Sequence, residues 1–292
     1  MSTIKRSSPK ARVLVIHDGR RVGLDAEPFT KWSGVEVIVR RERVERGEFS
    51  VLSPLLAGLE VLLSREGGRP RWEFDWLVYL SAQDYPVRPL GELEDELAAS
   101  RFDGYLAHWD LHGQDSPWKP RQGPTRYYVQ YRRLPDWTWR PLKAVRFLGK
   151  LSPLRFHLTF GPFLGWRPRH TPFEGTLRCY GGSQWWTLSR PCVEHLGSTI
   201  AADEPLVRWF RRTVAPCEAL VQTVLVNSGK FELFPDSRRY VDFADSADGR
   251  PRTLTRSDLP RFAAGRFDFA RKFEMSQDPG LLDLIDQQLL GI

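Results

Sequence analysis

The segment Phe74-Asp-Trp-Leu-Val-Tyr-Leu80 is mostly apolar and runs directly into Ser81-Ala-Gln-Asp-Tyr-Pro86. A short apolar run that stops at turn residues predicts a buried strand, with the polar residues at its carboxyl end. Val13–Ile16, followed by His17-Asp-Gly19, has the same form, and Gly34–Val39 alternates like a further strand. These segments predict a sheet with polar side chains directly after its strands.

Leucine-rich helical patterns lie between the predicted strands. Residues 50–63 carry leucines spaced by three and four, which form one apolar helix face, and Ser50 is the expected N-cap. A second helix is predicted over 91–100 and a short strand over 104–107. The alternation predicts an α/β fold with a mixed, mostly parallel sheet flanked by helices.

The periodicity is lost between about residues 109 and 170, where Trp, Pro, Arg and Tyr are frequent. A long irregular segment inside a compact domain is typical of functional loops. Regular patterns return over 181–189 and in a helix predicted over 216–227. We therefore expect one domain over residues 11–292 with this Trp/Pro-rich insert, preceded by a flexible, basic N-terminus over residues 1–10.

The composition is that of a folded, basic protein. The chain has 292 residues, 41% of them hydrophobic, and a net charge of +7 that comes mostly from arginine and is dispersed. Arginine suits fork-like binding of phosphate, which leaves nucleic acid, an anionic membrane surface and a small phosphorylated ligand as candidate partners. Three widely spaced cysteines indicate neither a disulfide framework nor a zinc site, so a reducing compartment is expected.

Standard cofactor motifs are missing from the sequence. It contains neither a P-loop nor a GxGxxG fingerprint, and no Asp-x-Asp follows a hydrophobic segment. The histidines show no convincing metal spacing. No metal or cofactor site is therefore predicted.

Three carboxylates are candidates for chemistry. Asp18 and Asp84 each follow a predicted strand, where open α/β sheets bind ligands, although Asp is also common as a turn or cap residue. Glu218 lies in the first turn of a predicted helix, where a negative charge is favourable even without a further role. The pattern alone leaves both interpretations open for each residue.

Two cations lie within an aromatic segment, Phe269-Ala-Arg-Lys-Phe273. Arg271 and Lys272 need an anionic partner in such surroundings, and that partner is either a ligand or a protein carboxylate. Surface ion pairs with Asp268 or Glu274 are the alternative.

The chain is also rich in tryptophan, with 11 Trp residues. The ordinary expectation for Trp185-Trp186 is one ring in the core and one at the surface. An aromatic face beside a cleft can also stack on a sugar ring.

Six segments, taken in order, carry a family resemblance. They are Ile16-His-Asp-Gly-Arg20, Gly47-Glu-Phe-Ser50, Leu80-Ser-Ala-Gln-Asp-Tyr-Pro-Val-Arg88, Gly182-Ser-Gln-Trp-Trp-Thr-Leu-Ser-Arg190, Pro216-Cys-Glu-Ala-Leu-Val-Gln-Thr-Val-Leu-Val-Asn-Ser228 and Phe269-Ala-Arg-Lys-Phe-Glu274. Together they resemble the core-2/I-branching glycosyltransferases, which include β-1,6-N-acetylglucosaminyltransferases and peptide O-xylosyltransferases. The resemblance is weakest in the insert and strongest to the xylosyltransferase branch.

The resemblance implies a GT-A-like fold, a UDP-sugar donor carrying GlcNAc or xylose, inversion at the anomeric carbon, and no divalent metal or other cofactor. Glu218 matches the carboxylate that removes the acceptor proton. Arg271 and Lys272 match the pair that binds the donor diphosphate, and Arg252 is a weaker candidate for another basic contact.

The remaining matches concern the nucleoside and the sugars. Asp18 matches a residue near the donor nucleoside and Asp84 a residue near the donor sugar. Ser183, Trp185 and Trp186 match the segment that lines the donor or acceptor sugar.

The implied partners are the UDP-sugar and a glycan, peptide or small-molecule acceptor, with no nucleic acid. The sequence shows neither the anchor nor the disulfides of the animal members, so we expect a bacterial-type cytoplasmic enzyme with at most peripheral contact with the inner face of a membrane. The alternative is a non-catalytic carbohydrate- or nucleic-acid-binding protein that keeps the fold. The joint presence of Glu218, Arg271 and Lys272 favours the enzyme.

Overall fold

Short strands and helices alternate through the computed structural model, which describes residues 1–20, 23–25, 27–145, 154–244 and 249–292. The strands are β1 (Val13–Asp18), β2 (Val35–Arg40), β3 (Arg65–Glu66), β4 (Arg69–Pro70), β5 (Trp76–Val78), β6 (Asp84–Pro86), β7 (Gly104–Tyr105), β8 (His108–Asp110), β9 (Gln130–Arg133), β10 (Leu154–His157), β11 (Phe163–Trp166), β12 (Tyr180–Gly182), β13 (Thr187–Ser189), β14 (Leu233–Phe234), β15 (Arg239–Val241) and β16 (Phe269–Arg271).

The helices surround these strands. They are α1 (Ser2–Ser7), α2 (Glu27–Thr30), α3 (Ser53–Leu62), α4 (Leu90–Ala98), α5 (Gln122–Tyr127), α6 (Trp139–Val145), α7 (Arg190–Ala201), α8 (Pro205–Phe210), α9 (Leu220–Ser228), α10 (Leu259–Ala264) and α11 (Leu281–Ile285), which continues as a wider turn over Asp286–Leu290. Short 3-10 turns cover Phe49–Leu52, Asp136–Thr138, Pro216–Glu218 and Arg256–Asp258. No helix among the described residues is long and apolar enough to cross a membrane.

The α/β class is confirmed, but the prediction of a mostly parallel sheet is wrong. Of the ten strand pairs in the described parts of the chain, three are parallel, namely β1–β2, β7–β14 and β15–β16, and seven are antiparallel. A four-stranded sheet has the order β14-β7-β13-β5, and a three-stranded sheet has the order β15-β16-β6. The chain returns from the insert in the opposite direction, so β13 pairs antiparallel with both β5 and β7.

The main hydrophobic core lies between β13 and the helices α3, α7 and α9. Helix α3 begins at Ser53, after the 3-10 turn, so Ser50 is not its N-cap. Instead the Ser50 hydroxyl accepts a hydrogen bond from the Glu45 N–H at 3.0 Å. A second core around Leu254, Phe262 and Ile285 holds α10 and α11.

The N-terminal segment, for which the sequence predicts flexibility over residues 1–10, contains helix α1. Helix α1 buries Thr3 and Lys5. The Lys5 ammonium donates to the carbonyls of Pro9 and Ala11 at 2.7 and 2.8 Å. These bonds satisfy a cation that would otherwise be costly to bury.

The insert is more ordered than its sequence predicts. Strands β9, β10 and β11 form an antiparallel sheet in the order β10-β11-β9. One face of this sheet packs Tyr131 and Phe163 against Val214 and Ala215, just before Glu218. The insert is thereby fixed to the loop that carries a predicted site residue; its residues 146–153 lie outside the described ranges.

Candidate functional site

Asp84 and Arg271 are cross-strand partners. Strands β6 and β16 are antiparallel with these two residues in register, and Arg271 Nε lies 3.5 Å from Asp84 Oδ1. The Asp84 side chain is fully buried, and the N–H and the hydroxyl of Ser81 both donate to its Oδ2 at 2.5 Å. Burial lowers the pKa of Arg271 from its ordinary value, and the Asp84 charge opposes that shift. Two of the predicted donor-side residues therefore form one pair, with the carboxylate as its buried member.

Trp185 lies against the Arg271 guanidinium, whose carbon is 4.3 Å from the ring centroid. The same ring is 5.2 Å from that of Tyr79. A guanidinium over an aromatic face is held by cation–π attraction, and this fixes the direction of its fork. Trp185 is half-buried, and it is therefore the member of the Trp pair that borders the site.

Trp186 does not fit the prediction that it contacts a sugar. Its side chain belongs to the main core, with 1% of its surface exposed, and its ring stacks on Tyr79 at 5.1 Å. Its carbonyl accepts hydrogen bonds from the Tyr79 N–H and from the buried Arg239. Trp186 is therefore a core residue that packs beneath Tyr79.

Glu218 forms the second carboxylate–arginine pair. Arg126 Nη1 is 2.6 Å from Glu218 Oε2, and the Glu218 side chain is 33% exposed whereas that of Arg126 is 10% exposed. The Arg126 guanidinium carbon is 5.0 Å from the centroid of Trp118 and 5.4 Å from that of Phe160. The insert therefore supplies a buried, aromatic-packed cation that holds one oxygen of the predicted base.

Helix α9 connects Glu218 to the Trp185 segment. Gln222 lies one turn beyond Glu218, and its buried Nε2 donates to the Ser183 carbonyl at 2.6 Å. The Trp185 N–H donates to the Ser183 hydroxyl at 3.2 Å. The close approach of this segment to the Ala107 backbone and to the Gln222 side chain requires glycine at 182. A Cβ there would meet the Ala107 carbonyl oxygen at 1.9 Å.

Tyr79 packs against both tryptophans of the Trp185-Trp186 pair, at 5.2 and 5.1 Å between ring centroids. Burial raises the pKa of the Tyr79 hydroxyl to about 12. A hydrogen bond with Gln184 lowers this pKa in part, whereas electrostatic interactions with Cys217 and Asp84 raise it further.

A chain of contacts links the two pairs. Arg271 lies against Trp185, the Trp185 N–H donates to Ser183, and the Ser183 carbonyl accepts from Gln222 on the helix that follows Glu218.

Lys272 directly follows Arg271, the last residue of β16. Its ammonium is 3.3 Å from Glu274 Oε2, and a quarter of its side chain is exposed. Its carbonyl accepts a hydrogen bond from the Leu254 N–H at 2.9 Å. The contact with Glu274, which is itself 41% exposed, is a surface ion pair of the kind that contributes little to stability.

Arg252 does not fit its predicted role as a diphosphate ligand. Its Nε donates to Asp242 at 2.7 Å, and its Nη1 and Nη2 both donate to the buried Asp258, with Nη1 at 3.0 Å. Asp258 also closes a capping box with Thr255. With every guanidinium nitrogen bonded to protein, Arg252 stabilises the turn before α10.

Asp18 lies at the end of β1 as predicted, but β1 does not belong to the sheet that carries Asp84 and Arg271. Strand β1 pairs in parallel with β2, and Asp18 is 3.3 Å from Arg20. The described strands include no hydrogen-bonded neighbour of β1 other than β2. A role for Asp18 at the donor nucleoside remains a prediction.

Arg126 and Gln222 are the site residues that sequence reasoning missed. Arg126 lies in the segment without periodicity, so its partner 92 positions away had no local signal. Gln222 did carry a signal, because a polar residue within the apolar face of a helix has to find a hydrogen-bond partner. Within the described ranges, no group of three or more His, Cys, Asp or Glu residues is arranged to hold a metal ion.

Comparison with known proteins defines the class. The family model for the Core-2/I-Branching enzyme matches residues 21–262. The chain therefore belongs to the Core-2/I-Branching enzyme family of glycosyltransferases, which confirms the resemblance drawn from the six segments.

Its relatives include several xylosyltransferases. The chain is 25% identical over 282 residues to Xylosyltransferase oxt of Drosophila pseudoobscura pseudoobscura, covering 89% of this chain and 28% of that protein. It is 26% identical over 266 residues to Xylosyltransferase 2 of Canis lupus familiaris, covering 84% of this chain and 26% of that protein. The chain spans only about a quarter of the length of these relatives.

Proposed function

We propose that the chain is an inverting, metal-independent glycosyltransferase that moves xylose or GlcNAc from a UDP-sugar to an acceptor hydroxyl. The observation that carries the proposal is the presence of two carboxylate–arginine pairs, Arg126–Glu218 and Asp84–Arg271. A chain of contacts through Trp185, Ser183 and Gln222 links the second pair to the helix that follows Glu218. The names of the relatives make UDP-xylose the first donor to test.

Glu218 is the proposed general base. Arg126 occupies its Oε2, which leaves Oε1 to accept the proton of the acceptor hydroxyl. As that proton moves to Glu218, the acceptor oxygen bonds to the anomeric carbon and the bond from that carbon to the UDP oxygen breaks. A positioned carboxylate typically contributes about 10²–10⁴-fold to such a step.

Arg271 and Lys272 are the proposed stabilisers of the departing UDP. The leaving diphosphate gains negative charge in the transition state, and cations placed where charge develops give the largest electrostatic benefit. Arg271 is well suited because burial and its contacts with Asp84 and Trp185 fix its fork. Two adjacent cations supply the neutralisation that a divalent metal gives other enzymes, and this supports metal independence.

Ser183 and Trp185 are the proposed contacts to the sugars. The Trp185 ring offers an apolar surface for the carbon–hydrogen face of a pyranose, and the Ser183 hydroxyl is a hydrogen-bonding group beside it. Asp84 acts through Arg271 and the turn at Ser81, because its own carboxylate is fully buried. We assign the acceptor to the Glu218 side, next to the insert.

The setting we propose is a reducing, cytoplasmic one, without nucleic acid as a partner. Cys179, Cys192 and Cys217 are all buried and unpaired in the structure, which suits a compartment that keeps thiols reduced.

The decisive experiment measures UDP release and sugar transfer in excess EDTA. Purified protein is incubated with UDP-xylose, UDP-GlcNAc, UDP-glucose or UDP-galactose, with and without simple glycoside and peptide acceptors. We expect slow hydrolysis of one donor without acceptor and faster release with one. Turnover that requires added Mn²⁺ or Mg²⁺ would remove metal independence, and UDP binding without any turnover would favour the non-catalytic alternative.

A further inference from the structure

The sheet of the insert has two unlike faces. Its inner face carries Tyr131 and Phe163, both buried in a core cluster. On the outer face Leu154 is in register with Trp166, and Phe156 with Leu164. Leu154 and Trp166 are 41% and 42% exposed, and none of these four outer side chains belongs to a core cluster of the described residues. On β10 and β11 this face is therefore apolar, with Leu154 and Trp166 exposed and Phe156 and Leu164 half-buried.

Two further exposed tryptophans lie close to the end of β10. Trp137 is 77% exposed and Trp139 is 37% exposed. Trp139 Nε1 donates to the Leu158 carbonyl at 3.3 Å, which brings the start of α6 to the end of β10. Four of the seven exposed large hydrophobic residues of the described chain lie in this one part of the molecule. We define the aromatic face by Trp137, Trp139, Leu154, Phe156, Leu164 and Trp166.

Positive charge is concentrated in the segment of sequence that carries the aromatic face. Residues 128–170 contain nine Lys or Arg and one Asp, a formal excess of eight positive charges, against +7 for the whole chain. Basic residues occur along the whole sequence, but elsewhere acidic residues balance them. The single acid, Asp136, is paired with Arg133 at 2.9 Å. The net charge is therefore not dispersed as expected, because the excess of basic over acidic residues comes from this segment.

Several of these cations border the aromatic face directly. Arg132 is the cross-strand neighbour of Leu164 on the outer face, and it is exposed. Lys143 Nζ lies 4.9 Å from the Trp139 ring centroid. Arg167 and Arg169 follow Trp166 and are exposed.

We propose that the aromatic face docks onto an anionic lipid bilayer surface. Tryptophan at the interface, aliphatic side chains below it and Lys/Arg around them form the combination that binds a negatively charged membrane without crossing it. A nucleic acid would use the cations and the tryptophan rings, but it gives no reason for Leu154, Phe156 and Leu164 to remain outside the core. The observations therefore favour lipid over a polyanion.

Docking in this way would also orient the site. The insert that carries the aromatic face supplies Arg126, which contacts Glu218. The acceptor side of the site is then held close to the membrane, while the Asp84–Arg271 pair belongs to a different sheet.

The test is co-sedimentation of the whole chain with vesicles of phosphatidylcholine alone and with phosphatidylglycerol at about 7:3. We expect binding to the anionic vesicles only, weakened as salt rises from about 0.05 to 0.5 M because exposed charges are screened. The double variant Trp137→Ser/Trp166→Ser is expected to bind at least ~10-fold more weakly, since it removes the interfacial anchors. Phe243→Ser, at an exposed aromatic outside residues 128–170, is the matched control and keeps binding.

Three results would overturn the proposal. The first is an absence of sedimentation with either vesicle. The second is equal sedimentation of the wild type and the double variant while both keep the same melting temperature. The third is a dimer of the wild type that the double variant dissociates, which would assign the aromatic face to a second copy of the chain.

Discussion

The two carboxylate–arginine pairs of the site have opposite burial. In the Asp84–Arg271 pair the carboxylate is fully buried and the arginine is 14% exposed. In the Arg126–Glu218 pair the arginine is 10% exposed and the carboxylate is 33% exposed. In each pair the buried member is held by other contacts, and the more accessible member faces the site.

The opposite burial of the two pairs matches the chemistry proposed for the donor side and for the acceptor side. A diphosphate requires a positioned cation, and Asp84 keeps the Arg271 fork in place. An acceptor hydroxyl requires a positioned base, and Arg126 keeps the Glu218 carboxylate in place. If the comparison is correct, changing an accessible member removes chemistry or binding, and changing a buried member removes positioning.

The largest effect is expected from Glu218→Gln. The amide keeps the shape of the side chain but cannot accept the acceptor proton, so the transfer rate should fall by about 10²–10⁴-fold. UDP affinity, measured by calorimetry, should stay unchanged because the base is on the acceptor side. Glu66→Gln is a matched control, since Glu66 is also paired with an arginine, Arg71, but on the exposed surface. A wild-type rate in the Glu218→Gln variant would leave Glu218 as a helix-end charge only.

The next effect is expected from Arg271→Ala on the donor side. Charged hydrogen bonds contribute about 1.5–3 kcal/mol each, so UDP should bind roughly 10- to 150-fold more weakly. Uridine, which has no diphosphate, should lose much less affinity, and kcat should fall further than affinity because the leaving group gains charge. Lys272→Ala should show the same pattern with a smaller loss, because Lys272 is the more exposed of the two.

Arg252→Ala sharpens this prediction as its control. Its guanidinium is fully bonded to Asp242 and Asp258, so the variant should lower the melting temperature and leave UDP affinity near that of wild type. Weak UDP binding by the Arg252 variant together with normal binding by the Arg271 variant would reverse the assignment made here.

A smaller effect is expected from Arg126→Gln, which tests positioning. Loss of the contact with Oε2 lets the Glu218 carboxylate rotate, and misplacement of a catalytic group by about 1 Å can cost up to ~10²-fold in rate. In the Glu218→Gln background the same change should cost almost nothing further, because the group being positioned is already inactive. Equal losses in both backgrounds would make Arg126 a purely structural residue.

The sequence predicts those features of the site that depend on short local segments, and it does not predict those that depend on contacts between distant segments. Asp84, Glu218 and Arg271 lie in short segments whose pattern predicts a strand end, a helix start and a charged pair among aromatics. Strand direction depends on how the chain returns after the insert, and local patterns do not encode it. The difference between Trp185 and Trp186 likewise required the packed structure, because only burial separates the two rings.

The smallest expected effect on activity comes from His157, which acts instead on the pH dependence of stability. Burial, and to a lesser degree the charge of Arg126, lowers the pKa of His157 to about 4. The unfolded chain therefore binds a proton to this residue between about pH 6.5 and 4 where the folded chain does not, so stability is fully present above this window and falls as pH decreases through it, by at most about 1.4 kcal/mol per pH unit.

The reason for the low His157 pKa is its position inside the insert sheet. Its ring stacks on Phe160 at 5.4 Å and meets Phe163 at 6.3 Å, and an imidazolium there would sit near the Arg126 guanidinium. His157→Phe should flatten the decline of stability between about pH 6.5 and 4 in urea titrations followed by fluorescence. His170→Phe, at a histidine that is 87% exposed and paired with Glu174, is the control for removing one imidazole from the chain. An unchanged slope in the His157 variant would place the proton uptake elsewhere and would separate the insert from the acid sensitivity of the fold.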